Sequence, residues 1–289
     1  MKVSRRRFVG GILAGTASYP LGRLLGKTSV GAMPRGETGM EIRFVRFERQ
    51  GRRAYGILEG GRIKEIRGRP WEAVEETGTV HPKDEVRILC PCEPSKVLAL
   101  AGNYKSHLES APPPANPEVF IKAPSALLDP DGTIVIPEGT KDVHYEGELV
   151  VVIGKKAKNL SPTEASSCVL GVTCGNDVSA RDWQKNDRQW WRAKACDTFG
   201  PVGPCIVSGL DYRDLLLRTR LNGEVKQEAR TSELIFDVPS IVSFVSRHMT
   251  LLPGDIVLTG TPGTTSAMKP GDGVEVEIEK IGVLRNRVG

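Results

Sequence analysis

The 289 residues carry 40 Lys and Arg against 35 Asp and Glu, a formal net charge of +5. The excess belongs to residues 1–33, which hold Lys2, Arg5, Arg6, Arg7, Arg23 and Lys27 and no acidic residue; 34 basic and 35 acidic residues remain beyond them. A body of net charge −1, with no basic motif and no aromatic platform, argues against a nucleic-acid binder, and its 39% hydrophobic and 26% charged composition is that of a globular chain able to bury a core.

Ser4-Arg5-Arg6-Arg7-Phe8-Val9 resembles a twin-arginine export motif. The weakly apolar run from Val9 to Leu25 is broken by glycines and Pro20, too short for a stable membrane anchor, and Val30-Gly31-Ala32 offers small residues for cleavage before Met33. The expectation is a leader over 1–33, read by the twin-arginine export machinery, and an exported body. No later run of about 18 apolar residues exists to span a bilayer.

Glu41 to Glu48 alternates apolar and polar residues, as a half-buried strand does. Arg53–Glu59 and Arg62–Arg67 repeat the pattern around Gly60-Gly61, a hairpin signal. Cys90-Pro91-Cys92 looks like a metal clip but lacks the CxxC spacing of a zinc site, and buried free thiols account for the other four cysteines. Lys96–Ala101 is a short buried strand. Residues 102–117, with Gly102, Pro112-Pro113-Pro114 and Pro117, form a loop or lid with one helical turn at most. Leu149–Ile153 is a central strand by its unbroken apolar, β-branched composition. Ser161-Pro162-Thr163-Glu164 opens a helix with a capping box and proline at its first position. Val169–Val178 is a strand, Leu221-Asn222-Gly223-Glu224 a hairpin, and Asp237-Val238-Pro239 the start of a helix with Ile241, Val245 and Met249 on one face. Asp255–Leu258, Gly273–Ile278 and Val283–Val288 are late strands. Strands dominate without regular alternation with helices, which excludes a Rossmann fold or a TIM barrel.

Four segments carry chemistry. In Tyr145-Glu146-Gly147-Glu148-Leu149-Val150 the two glutamates share one face of an extended chain. Paired carboxylates repel unless a proton or cation lies between them, and a hard divalent ion is the natural partner; solvated carboxylates on an edge strand are the alternative. Asn176-Asp177-Val178-Ser179-Ala180-Arg181-Asp182 supplies a third carboxylate at a strand end, then Arg181 and Gln184 for an anionic ligand. Trp190-Trp191-Arg192-Ala193-Lys194 and the turn Thr259-Gly260-Thr261-Pro262-Gly263 complete the set.

In this order these motifs resemble the fumarylacetoacetate hydrolase family, in its short bacterial branch of acylpyruvate hydrolases, isomerases and decarboxylases. The resemblance runs from about Lys96 to Val288. It implies a mixed, β-rich α+β fold: a fumarylacetoacetate hydrolase-like β-roll over 96–289, preceded by a small N-terminal antiparallel β unit and linker over 34–95, in a homodimer. It implies that Glu146, Glu148 and Asp177 hold Mg²⁺, or Mn²⁺ or Ca²⁺ in its place. It further implies that Tyr104, Arg181, Gln184 and Thr261 bind a small α-keto or diketo acid and that Lys194 stabilises enolate charge. The lid segment Ala101-Gly102-Asn103-Tyr104-Lys105-Ser106-His107 matches with His107 as general base, paired in the hydrolases with a glutamate three residues on. Here Glu109 follows after two, and on a helix those positions do not face each other. His144, beside Tyr145 and Glu146, reads as a residue that orients surrounding groups or is merely structural, not as the base. The activity implied is Mg-dependent hydrolysis of a C–C bond in a fumarylpyruvate-like β-diketo acid. The shifted Glu109 keeps open an isomerase, decarboxylase or lyase of a related keto or enol acid; a non-catalytic keto-acid-binding protein is the remaining alternative.

Overall fold

The computed structural model describes residues 40–108 and 110–289. The leader expected over 1–33 and the candidate residue Glu109 lie outside the described residues. Among those described, no helix is long and apolar enough to cross a membrane.

A twelve-stranded sheet organises the chain. Its N-terminal meander runs Ile42–Arg49, Arg52–Glu59, Arg62–Arg67 and Glu75–Pro82. Gly60 and Gly61, at φ of 52° and 79°, make the tight turn that their sequence forecasts. The meander continues into the large sheet, because Ile42–Arg49 pairs antiparallel with Gly200–Ser208. The sheet then proceeds through Val169–Asn176, Gly147–Ile153, Ile256–Leu258, Val97–Ala101 and Glu118–Lys122. The Gly200–Ser208 strand has no clear sequence signal, because Gly200, Pro201, Gly203 and Pro204 run against strand propensity.

Gly147–Ile153 is buried at every position. Leu149, Val151 and Ile153 pack on one face with Leu217, Ile241, Val245 and Val276; Val150 and Val152 pack on the other with Val97, Ile206 and Ile256. Two apolar faces explain a run with no polar alternation. On the first face lie the helix Val238–His248 and a five-stranded sheet of Glu224–Arg230, Leu216–Leu221, Gly273–Ile278, Gly282–Val288 and Thr133–Ile134. The Asp237 side chain caps that helix by accepting from Ser240 N–H at 2.9 Å. Ser161 and Glu164 form the capping box that their spacing forecasts, opening Pro162–Ser166.

Gly147 sets how closely the two sheets meet. A Cβ added there would lie 1.9 Å from Thr219 Oγ1 of the five-stranded sheet. The glycine between the two glutamates therefore lets the second sheet press against the strand that carries them. Gly147→Ala should lower unfolding free energy by about 1–3 kcal/mol through overpacking. Urea denaturation checks this, and an unchanged midpoint would contradict it.

Candidate metal and anion site

Antiparallel pairing of Gly147 with Asn176 and of Glu148 with Gly175 brings two strand ends together. Just beyond this ladder, Asp177 N–H donates to the Glu146 carbonyl at 2.9 Å, and Glu146 N–H donates to Asn176 Oδ1 at 2.9 Å. The register thus gathers the carboxylates of Glu146, Glu148 and Asp177, with one oxygen of each within 4.8 Å of the others. All three are buried. Two like charges about 4 Å apart repel by roughly 4 kcal/mol at an effective dielectric of about 20, so the cluster requires compensation.

Three cations supply part of it. Lys194 Nζ donates to Glu146 Oε2 at 2.5 Å and to Asp177 Oδ2 at 2.7 Å. Arg181 Nη2 donates to Glu146 Oε1 at 2.5 Å, while its Nη1 donates to Gln184 Oε1 at 2.7 Å. Lys122 Nζ donates to Asp177 Oδ1 at 2.6 Å and also to the Lys194 carbonyl. Burial opposes ionisation of Glu146, but Lys194 and Arg181 outweigh it and hold its carboxyl below the ordinary range. Burial likewise works against the Lys194 charge, and Asp177 and Glu146 outweigh it and raise its pKa.

Glu148 is the uncompensated member. Its Oε2 accepts from Gly260 N–H at 2.6 Å, whereas Oε1 is buried without a hydrogen-bond partner. Burial, with Asp177 and Glu146 beside it, pushes its pKa well above the ordinary carboxylate value. A buried orphan oxygen next to two further carboxylates fits the all-oxygen donor set of a hard divalent cation.

The turn after Ile256–Leu258 closes the site. Gly260 has φ of 103°, and a Cβ there would lie 2.8 Å from Asn103 Cβ, so only glycine lets its N–H approach Glu148 unstrained. Thr261 Oγ1 donates to the Gly147 carbonyl at 3.0 Å and accepts from Gln227 Nε2 at 2.9 Å. A cavity of about 40 Å³ opens beside the cluster, lined by His107, Glu146, Glu148, Arg181, Gln184, Lys194, Thr261 and residues 100–102.

His107 belongs to a single 3₁₀ turn, Lys105–His107, the short turn that the proline-rich lid allows. Its Nδ1 lies 2.5 Å from the Gly263 carbonyl and its Nε2 lies 3.9 Å from Glu146 Oε1. A carbonyl only accepts, so Nδ1 carries the proton and Nε2 of the neutral ring is the lone-pair nitrogen. The Tyr104 side chain is buried and its hydroxyl has no hydrogen-bond partner among the described residues; burial, with the Glu148 carboxylate nearby, raises its pKa. The cysteines are free, and Cys90 and Cys92 are buried thiols.

Lys122, Asn103 and Gln227 escaped sequence reasoning. Asn103 Nδ2 donates to the Phe236 and Thr259 carbonyls at 3.1 and 2.8 Å, tying the lid to the turn. In Glu118–Lys122 the usual alternation is inverted: Ile121 is 57% exposed and Lys122 is 0% exposed. No hydrophobic pattern could have found that lysine. Its removal leaves Asp177 Oδ1 buried without its cation, a loss of about 3–5 kcal/mol. Lys122→Met should show that loss in urea denaturation, and a loss below about 1 kcal/mol would contradict the assignment.

Residues 96–289 match the family described as fumarylacetoacetate (FAA) hydrolase C-terminal, and residues 42–91 match that described as Rv2993c-like, N-terminal. Among solved structures, the chain is 44% identical to 2-hydroxyhepta-2,4-diene-1,7-dioate isomerase from Mycobacterium marinum, covering 86% of this chain and 98% of that one at a TM-score of 0.80. It is 41% identical over 224 residues to the mitochondrial oxaloacetate tautomerase FAHD2A of Bos taurus, covering 72% of this chain and 71% of that protein. It is 27% identical to maleylpyruvate hydrolase from a Sphingobium species, solved with manganese(II) and pyruvate, covering 85% of this chain and 98% of that one at a TM-score of 0.71.

Proposed function

Because the chain belongs to the fumarylacetoacetate hydrolase family and is an enzyme of it, we propose that it is a divalent-metal-dependent isomerase that shifts the keto–enol or double-bond position of a short α-keto dioic acid. Glu146, Glu148 and Asp177 would hold the ion, Mg²⁺ or Mn²⁺. Bound there, it supplies a Lewis acid that favours enolate over ketone charge. The remaining chemistry belongs to side chains. The Arg181 guanidinium and Lys194 ammonium line the cavity and attract a dianionic ligand to it. Lys194 also offers a fixed positive charge to a developing enolate oxygen. In the neutral ring His107 Nε2 is the lone-pair nitrogen, placed to accept a proton from one carbon and return it to another.

The observation that carries isomerisation over hydrolysis is the sequence around His107, where Glu109 follows after two residues and not the three of the hydrolase pattern. The His107 ring is oriented by the Gly263 carbonyl at 2.5 Å. A base held so can shuttle one proton within the substrate, a reaction that needs no paired glutamate to hold a water. Two relatives more than 40% identical to this chain are named for isomerisation or tautomerisation. C–C hydrolysis of an acylpyruvate is the second reading, favoured by the same nitrogen standing 3.9 Å from Glu146 Oε1, where a water beside the carboxylates would lie within its reach.

Enol-oxaloacetate and an acylpyruvate, each supplied with Mg²⁺, separate the two. The isomerase reading expects loss of the enol absorbance with no release of pyruvate. Stoichiometric release of pyruvate and a second acid from the acylpyruvate would replace it with hydrolysis. His107→Ala should lower kcat by about 10²–10⁴-fold while leaving ion binding intact.

A further inference from the structure

Arg181 does not hold its orientation through Glu146 and Gln184 alone. Its Nη2 also donates to Thr265 Oγ1 at 3.0 Å. That hydroxyl lies 2.7 Å from His144 Nδ1, and His144 Nε2 lies 2.7 Å from Asp142 Oδ1. For a neutral imidazole the proton positions follow from donor and acceptor capacity. The Asp142 carboxylate only accepts, so His144 Nε2–H donates to it. Nδ1 is then an acceptor and takes the Thr265 hydroxyl proton. The Thr265 oxygen is left to accept from Arg181. Every link has one donor and one acceptor, from a half-exposed carboxylate to the cavity.

The backbone fixes both ends of this chain. Val143–His144 pairs with Ser179–Ala180, directly before Arg181, and Arg181 N–H donates to the Asp142 carbonyl at 2.8 Å. On the other side His144 bridges to Ala267, Met268 N–H donates to the Val143 carbonyl at 2.8 Å, and Tyr145 Oη lies 3.0 Å from Ser266 Oγ. The 265–268 segment is therefore pinned against the strand end that supplies the carboxylates. An unrestrained arginine loses rotamer freedom when a ligand fixes it. Three of its five N–H groups are engaged here, by Gln184, Glu146 and Thr265, and among the described residues the other two are left for a ligand.

We propose that Thr265 is a positioning residue for the anion-binding arginine, with His144 and Asp142 orienting its hydroxyl. The proposal rests on the reading above, in which Arg181 meets a carboxylate of the substrate. It is tested by calorimetric titration of oxalate into the Mg²⁺-loaded full chain. Thr265→Val, which keeps shape and removes the hydroxyl, should weaken oxalate binding roughly tenfold, and Thr265→Ser should restore it to within about twofold. In an Arg181→Ala background Thr265→Val should have no further effect, since the group that it positions is gone. In turnover the loss should fall on KM, not kcat. Wild-type oxalate affinity in Thr265→Val, or an equal weakening in the Arg181→Ala background, would overturn the proposal. Oxalate binding that follows the expected pattern, without turnover of any keto acid, would overturn the function and leave this inference standing.

Discussion

Everything at the site depends on three carboxylates being held together inside the protein. Glu146, Glu148 and Asp177 are buried, within reach of one another, and mutually repulsive. The fold does not relieve this by opening the cluster to water. It surrounds the cluster with cations of unequal freedom. Lys122 is fully buried and spans Asp177 and the Lys194 carbonyl, so its charge is part of the architecture. Lys194 and Arg181 also line the cavity and can face a ligand. Glu148 keeps one oxygen without a partner, the point at which the arrangement is incomplete within the protein.

The sheet geometry serves this cluster. Two antiparallel strands end in register, and the residues at their ends point into one space. Gly147 lets the second sheet close over the first without a side chain between them. The turn through Gly260 and Thr261 then reaches back to the same strand, to Glu148 and to the Gly147 carbonyl. Packing, backbone conformation and electrostatics converge on the strand end at residues 146–148.

Much of this was legible from local signals. The capping box at Ser161, the Asn222-Gly223 hairpin and the unbroken run to Ile153 are decided by short-range chemistry, and they stand as read. Glu146 and Glu148 could be paired from their spacing alone. Asp177, some thirty residues on, is legible as a third carboxylate at a strand end, but its approach to the pair depends on strand register, and its place in the ligand set came through the resemblance to a family. What stayed hidden was of another kind. Gly200–Ser208 is a central strand whose glycines and prolines contradict its own propensity, so tertiary pairing decides it. Lys122 faces inward where alternation would place it outside, because a buried carboxylate awaits it. Thr265 follows a glycine-containing turn in which nothing local distinguishes one hydroxyl from its neighbours. Such residues are defined by their partners, which lie far away in the sequence.

The central claim is that the orphaned oxygen of Glu148 completes a divalent cation site. Its most direct test is calorimetric titration of Mg²⁺ and Mn²⁺ into the protein in two buffers of different protonation enthalpy. Since burial and its neighbours raise the Glu148 pKa, a proton competes with the ion for this carboxylate. Affinity should therefore rise with pH, a proton should be released on binding, and Glu148→Gln should weaken binding by at least about tenfold. Binding to Glu148→Gln as tight as to the wild type, or binding without proton release, would contradict the account.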